Sequence, residues 1–267
     1  MGISRGTIHL LAMSLGGEAR QERMVSFGVQ KVEVGSVEIR RILNAHGFHL
    51  PADEYAADTG GQATLFHGLG YRRVDSIDYY PDEGPTFTLD LNQPLPPELE
   101  ATFDLVYDGG TMEHCFDPAQ VLRNAASLVA PGGRIIHHVP INNWVDHGFY
   151  QFSPTLFFDF YGAAGFADLT LKIHFMKNGR ESFAIYDPVR DPPVPYALGG
   201  RQRVLAFFSA RRGADALPLP PASLIQGRYR ATFGGEQRRR PAGRKGLLQR
   251  LSASARKRFF EWSAQSL

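Results

Sequence analysis

The sequence predicts an α/β protein built around an open, mostly parallel β-sheet. Residues 103–107 form a short apolar run without a polar face, which is typical of a strand covered on both sides. Residues 117–129 follow with an Asp-Pro start and apolar side chains at helical spacing, and residues 134–139 form a second apolar run. A strand, a helix and a returning strand of this length make a βαβ unit, in which the two strands are parallel.

Polar and glycine residues follow the ends of these two predicted strands. Open parallel sheets bind their ligands at the carboxyl ends of the strands. The residues expected along this edge are Asp108, Gly109, Gly110, Glu113, His114, Pro140, Asn142 and Asn143. The sequence therefore predicts a ligand site at this edge.

Two segments of this unit resemble a known family. FDLVYDGGTMEHCFDP and the following LVAPGGRIIHHVP are similar to the fourth and fifth strands of class I S-adenosylmethionine-dependent methyltransferases. The similarity extends, more loosely, over about residues 22–212. It implies a Rossmann-like sheet of seven strands, mostly parallel with an antiparallel last strand, and helices on both faces. It also implies S-adenosyl-L-methionine as the cofactor.

The glycine-rich turn that this family places after its first strand is split in the present sequence. The resemblance puts Gly28 beside the methionyl end of the cofactor, and residues 31–58 separate it from Gly60 and Gly61. A dinucleotide needs a continuous glycine turn because its pyrophosphate takes several backbone amides, whereas S-adenosylmethionine has no phosphate. The interruption therefore disfavours an NAD-dependent oxidoreductase more than a methyltransferase.

The resemblance assigns further cofactor contacts to acidic residues at strand ends. Asp78 would accept both ribose hydroxyls; the alternative is a solvated turn acid or a helix cap. Asp90 and Leu91 would frame the adenine, and the alternative for Asp90 is an Asx turn leading into a proline. The remaining predicted cofactor residues are Gly60, Asp108, Gly109 and Glu113.

Two histidines are candidates for the group that removes a proton from the methyl acceptor. A hydroxyl acceptor must lose its proton during the displacement, and histidine is the side chain that most often removes it. His147 lies in an aromatic loop after the fifth strand, where the acceptor would enter, and His114 follows Glu113, which could orient it. We predict His147 as the base and His114 as support on the cofactor side. The alternatives are a loop brace for His147 and a cap or bridge for His114.

No spacing typical of a tight metal site, such as H-x-x-x-H, occurs, so the sequence predicts no metal. Asp146, His147 and His114 are the residues that could collect a divalent ion, as some sugar-modifying members of the family use magnesium. The motifs G-x-x-x-x-G-K-[ST] and G-x-S-x-G are also absent from the sequence, which disfavours NTPases and serine hydrolases.

Composition divides the chain into a large domain and a basic tail. Residues 1–212 are long enough for one domain; residues 213–243 are rich in Pro, Gly and Arg and predict a linker; residues 244–267 predict a basic amphipathic helix. Residues 228–267 carry eleven Lys and Arg against two Asp and Glu, so a net charge of +2 leaves −7 for the other 227 residues. This acidic body disfavours a nucleic-acid partner.

The tail has two interpretations. Residues 244–262 could lie on an anionic membrane surface, or they could dock on the body or on another subunit or be partly disordered. The second interpretation is favoured, because amphipathicity alone does not indicate a membrane. No apolar run could span a membrane, the first residues lack a signal-peptide pattern, and there is one cysteine. We therefore expect a cytoplasmic protein that could be peripheral at the inner membrane face; the oligomeric state is left open.

The sequence thus predicts a methyltransferase that O-methylates a small molecule or a saccharide. The segment HGFYQFSP resembles a subgroup associated with saccharide or secondary-metabolite modification. The alternative is a catalytically inactive methyltransferase fold that serves as a binding or scaffold protein through its basic tail.

Overall fold

The computed structural model describes residues 2–16, 21–48, 61–186, 200–214, 224–227, 229 and 265–266. Its helices are α1 (Arg5–Leu15), α2 (Ser36–Ala45), α3 (Gln62–Gly68), α4 (Pro118–Leu128) and α5 (Pro154–Ala163). Its strands are β1 (Gln21–Phe27), β2 (Tyr71–Asp78), β3 (Phe87–Thr88), β4 (Phe103–Asp108), β5 (Val129–Asn142), β6 (Phe166–Lys177), β7 (Arg180–Tyr186), β8 (Arg203–Arg212) and β9 (Gln265–Ser266).

The described strands form one sheet in the order β3-β2-β1-β4-β5-β8-β6-β7-β9. Strands β1 to β5 are parallel, β8 is antiparallel to β5 and to β6, and the pairs β6–β7 and β7–β9 are antiparallel. Of the described strands, β7 and β8 run against all the others. The predicted fold class, a mostly parallel Rossmann-like sheet with an antiparallel end, is confirmed.

The predicted count of seven strands is wrong, because the described residues form nine. The Asn178–Gly179 pair has the form of a turn, and both residues have positive φ, at 50° and 72°. Strand β7 begins directly after this turn, pairs with β6 as a hairpin and buries Phe183 and Ala184. Strand β9 then pairs with β7.

The sheet is buried on both faces, as its apolar runs predict. Successive residues of a strand point to opposite faces. Val25, Val106 and Ile135 pack with α4 and α5, whereas their neighbours Met24, Leu105 and Ile136 pack with α1, α2 and α3. Helix α4 begins as expected, since the Asp117 carboxylate accepts a hydrogen bond from the Gln120 amide at 3.0 Å and Pro118 is the first helical residue.

Several predictions fall outside the described residues. Gly60 lies there, as do almost all of the predicted linker 213–243 and the amphipathic stretch 244–262. None of the described helices has the length and apolarity needed to cross a membrane. The three-part domain division and the roles of the tail stay predictions.

Candidate functional site

The carboxyl ends of the central strands meet at one edge of the sheet. Phe27 of β1 is in register with Ile77 of β2 and Asp108 of β4, and Asp108 is in register with His137 of β5. The residues immediately after these positions therefore lie side by side. The sheet thus brings the predicted Gly28, Asp78 and Gly109 together.

Gly28 and Asp78 are in direct contact at this edge. Gly28 has φ 73°, which favours glycine, and its amide donates to the Ile77 carbonyl at 2.7 Å. The Asp78 carboxylate accepts hydrogen bonds from the amides of Val29 and Tyr80, both at 3.3 Å. A Cβ on Gly28 would lie 3.6 Å from Asp78 Oδ2. The half-buried Asp78 carboxylate is therefore oriented by the backbone beside the Gly28 turn.

The Asp108 side chain is fully buried and acts as an anchor for the turn after β4. Its Oδ1 accepts hydrogen bonds from the amides of Thr111 and Met112 at 2.9 and 3.3 Å. Its Oδ2 lies 2.8 Å from Nδ1 of His137, whose Nε2 lies 2.6 Å from the hydroxyl of Tyr161. All three members of this row are 0% exposed. Both carboxylate oxygens are thus occupied by protein groups, and the predicted place of Asp108 in the floor of the cofactor site stays a prediction.

Gly109 leaves no room for a side chain. A Cβ there would collide with the Gln30 side chain and would lie 2.7 Å from a ring carbon of Tyr107. Gln30 is 6% exposed, and its Nε2 donates to the Phe27 carbonyl at 2.7 Å. The glycine therefore permits Gln30 to pack between the tips of β1 and β4.

Glu113, His114 and His147 form a cluster at the end of β4 and in the loop after β5. Glu113 is fully buried, whereas the side chains of His147 and His114 are 27% and 46% exposed. His147 Nε2 lies 3.4 Å from Glu113 Oε1, and His114 Nε2 lies 4.0 Å from it. No hydrogen bond reaches either carboxylate oxygen or His147 Nε2 within the described residues. Glu113 therefore faces His147 more closely than His114, which it was expected to orient.

The loop that carries His147 is held by the backbone of Glu113. The Glu113 carbonyl accepts hydrogen bonds from the amides of Phe149 and Tyr150 at 2.8 and 3.3 Å. A Cβ on Gly148 would lie 2.8 Å from the same carbonyl oxygen, so the loop needs glycine here. The rings of Trp144 and His147 are 4.7 Å apart. The cluster is thus assembled by close backbone contact between the two segments.

Burial changes the protonation of this cluster. It raises the pKa of Glu113 to about 8, and the charge of Asp108 adds to the effect. Burial lowers the pKa of His147, to which the neighbouring His114 contributes, and burial also lowers the pKa of His114. Around neutral pH the imidazoles are therefore neutral and the proton is held by the carboxyl group.

The same three residues come near the spacing of a metal site. One donor atom from each lies within 4.8 Å of the other two. Ligands about 2.1 Å from a tetrahedral zinc ion stand about 3.4 Å apart, so His114 would have to move inward to hold one. Asp146, which the sequence grouped with the two histidines, is not a member of this cluster.

A family model described as a methyltransferase domain matches residues 78–137. The match begins at the tip of β2 and ends in β5, so it contains Asp78, the Asp108 turn and Glu113. Over these residues the chain is thus similar to a methyltransferase domain, in agreement with the resemblance of its β4 and β5 segments. No curated protein matches the chain.

Several solved structures are similar to this chain. A protein of Bacillus halodurans proposed to be a methyltransferase is 13% identical with a TM-score of 0.45, over 77% of this chain and 99% of that one. A 1,6-didemethyltoxoflavin-N1-methyltransferase of Burkholderia thailandensis is 16% identical with a TM-score of 0.40, over 78% and 77%. A phosphoethanolamine N-methyltransferase of Haemonchus contortus with S-adenosyl-L-methionine is 12% identical with a TM-score of 0.41, over 77% and 52%.

A glutamine that the sequence did not single out connects the segments before and after the interruption of the glycine turn. Oε1 of Gln62, the first residue of α3, accepts hydrogen bonds from the Gln30 amide at 2.9 Å and from the Ser26 hydroxyl at 3.0 Å. Helix α3 therefore starts against the tip of β1 although residues 31–58 intervene. Gly61, the residue before α3, has φ 83°. A polar residue directly after the Gly-Gly pair was the available signal for this contact.

For Asp90, the structure shows the alternative to the predicted adenine contact, an Asx turn. Asp90 Oδ1 accepts hydrogen bonds from the amide and the side chain of Asn92 at 2.9 and 2.8 Å, so an Asx turn is present. The Leu91 side chain is 5% exposed and packs in the core, and Asn124 Nδ2 donates to the Leu91 carbonyl at 2.9 Å. Adenine contacts by Asp90 and Leu91 stay a prediction.

Replacing Glu113 with Gln is expected to change how stability depends on pH. Since its folded pKa is raised from 4.5 to about 8, the Glu113 contribution to stability is complete below about pH 4.5 and is lost as pH rises through 8. Glutamine does not ionise. The free energy of unfolding of the variant should therefore rise by a few kcal/mol relative to that of the parent as pH increases from about 5 to about 9. Urea unfolding at both pH values measures this difference.

The exposed Glu98 supplies the matched control for this measurement. Glu98→Gln should leave the pH dependence of the unfolding free energy as it is in the parent. If the stability of the Glu113→Gln variant follows that of the parent at both pH values, the pKa of Glu113 is not raised in the folded protein.

Proposed function

We propose that this protein is an S-adenosylmethionine-dependent methyltransferase that methylates a hydroxyl oxygen of a small molecule or saccharide. The observation that carries the proposal is the Glu113–His147 pair, a buried carboxyl group and an imidazole 3.4 Å apart at the ligand-binding edge. A neutral amine attacks a sulfonium methyl group with its lone pair and loses its proton afterwards, whereas a hydroxyl must lose its proton during the attack. A base at this edge therefore favours an oxygen acceptor.

The cofactor would lie across the tips of β1, β2 and β4. Asp78 would accept the ribose hydroxyls, and Gly28 would let the methionyl end approach the backbone. Gly109 and the adjoining turn would form the floor. S-Adenosylmethionine supplies the activated methyl group, and this chain supplies its alignment with the acceptor, which can account for several kcal/mol of the barrier.

His147 would take the acceptor's proton, and Glu113 would act through His147. An imidazolium at His147 is stabilised by an ionised carboxylate 3.4 Å away. The Glu113–His147 pair can accept the proton once Glu113 is ionised. Activity should therefore rise as pH passes through about 8, the pKa of Glu113. His114, whose ring centroid is 5.0 Å from that of His147, would support the cofactor side.

Asp78→Ala is expected to weaken S-adenosylmethionine binding by about ten- to a hundredfold. Hydrogen bonds to a charged group contribute roughly 1.5–3 kcal/mol each, and the ribose would lose its acceptor. Isothermal titration with S-adenosylmethionine measures the change. Asp82→Ala, an exposed acid in the loop after β2, is the matched control and should bind as the parent does. Equal binding by the Asp78 variant would remove Asp78 from the ribose site.

The methyl acceptor can be tested with a panel of hydroxyl, amine and thiol compounds and methyl-labelled S-adenosylmethionine. We expect label in hydroxyl compounds as alkali-stable ethers. Label confined to amines or to carbon would overturn the oxygen assignment. Cofactor binding without transfer to any panel compound or to a small-molecule extract would favour the scaffold alternative.

A further inference from the structure

We infer that the acceptor carries an anionic group, a phosphate or a carboxylate, which binds in a basic cavity beside the proposed base. The inference rests on the proposed function, because it names the chemical class of the acceptor. The cavity has a volume of about 470 Å³ and lies between the N-terminal segment and the β6–β7 turn. Its cationic lining residues are Lys177, Arg180, Arg201 and Arg203.

The cavity lies on the ligand-binding edge of the sheet. Strand β6 ends at Lys177, and β8 begins at Arg203 next to the end of β5, where Asn142 pairs with Val204. Strand β6 runs in the same direction as β5, so both end at this edge. The cations therefore face the side of the sheet from which an acceptor would approach the cofactor.

Among the described lining residues, the four cations outnumber the two acids of the cavity, Glu33 and Glu181, so its net charge is positive. Glu181 lines the cavity, and its oxygens accept hydrogen bonds from the Ser4 hydroxyl at 2.5 Å and the Gly6 amide at 2.6 Å. It also lies 3.4 Å from Nε2 of the buried His174. The Glu181 carboxylate is thus bound to the start of α1 and to His174, and not to the cations of the cavity.

Over the described part of the chain, no carboxylate lies within 4 Å of the four cationic groups. Four cations around one cavity stand out because residues 1–227 carry a net charge of −7. Guanidinium groups bind phosphate and carboxylate through paired hydrogen bonds, which makes such a set selective for anions.

A chain of ring contacts joins the cavity to the base. The Arg203 guanidinium lies 4.8 Å from the Trp144 ring, and that ring lies 4.7 Å from the His147 ring. Together these two distances place the guanidinium carbon no more than about 9.5 Å from the imidazole. A sugar phosphate or a short hydroxy acid can span this separation, with its anion on Arg203 and a hydroxyl at His147.

The test uses the full chain saturated with S-adenosylhomocysteine and three probes, glucose, glucose 6-phosphate and glucuronate. Isothermal titration should show at least tenfold tighter binding of one anionic probe than of glucose, and binding should weaken with added salt. The phosphate and carboxylate arms decide which anion the cavity prefers. Equal binding of all three probes, or no binding of either anion, would overturn the inference.

Arg180→Gln with Arg201→Gln is the informative variant, because both side chains are exposed and the fold does not depend on them. It should lose at least tenfold in anion affinity and keep its affinity for S-adenosylhomocysteine. Arg41→Gln with Arg72→Gln, also exposed and not in the cavity lining, is the control and should bind as the parent does. Unchanged anion binding in the first variant would refute the cavity as the binding site.

The two proposals fail separately. A protein that methylates neutral hydroxyl compounds as well as anionic ones keeps the proposed function and loses this inference. A protein that binds the anions through the four cations but methylates amines keeps the cavity and loses the oxygen assignment.

Discussion

His147→Ala is expected to lower kcat by about 10²- to 10⁴-fold, which is the usual contribution of a positioned base. Binding of S-adenosylmethionine should stay within about twofold of the parent. His147 Nε2 lies 3.4 Å from the buried carboxylate of Glu113, and the side chain is 27% exposed, so the ring can meet an acceptor on one side and Glu113 on the other. Single-turnover rates with the acceptor found in the panel measure the loss, and titration with the cofactor measures binding.

A base and a loop brace give different results in this experiment. The parent should gain activity as pH passes through about 8, where Glu113 ionises, so the deficit of the His147 variant should grow over this range if His147 is the base. Val145→Ala, an 81% exposed change in the same loop, controls for a general effect on the loop and should be nearly silent. A pH-independent deficit, or an equal loss of cofactor binding, would contradict the role as base and favour a brace.

Asp108→Ala is expected to destabilise the protein by about 3–5 kcal/mol, because each buried donor left without an acceptor costs about 1–3 kcal/mol. The change would leave the His137 ring and the amides of Thr111 and Met112 without their acceptor in a fully buried place. Urea unfolding without cofactor measures the effect on the fold alone.

A second aspartate in β4 gives the comparison. The Asp104 carboxylate accepts hydrogen bonds from the amides of Glu22 and Arg23, both at 2.9 Å, but it is only half-buried. Asp104→Ala should cost about 1 kcal/mol, since water can replace the lost partner. If the Asp108 variant loses no more than the Asp104 variant, the buried row from Asp108 to Tyr161 is not a main source of stability.

Most of the fold could be predicted from local patterns in the sequence. The apolar run of β4, the Asp117–Pro118 helix start and the helical spacing of α4 all depend on residues close together in the chain, and the structure has each of them. The sequence did not predict strand β7, because its residues, RESFAIY, mix polar and apolar side chains. The turn before it nevertheless has a clear Asn-Gly signal. Its pairing with β6 supplies the stability that its composition does not indicate.

The sequence by itself determined the parallel sheet and, through it, the edge at which Gly28, Asp78 and Glu113 meet, because parallel strands end at a common edge. The partners of these side chains were decided only by the tertiary structure. Glu113 and His147 are 34 positions apart, and Gln62 reaches Gln30 across residues 31–58. Such contacts depend on how distant segments pack, and burial sets the protonation of the groups they enclose.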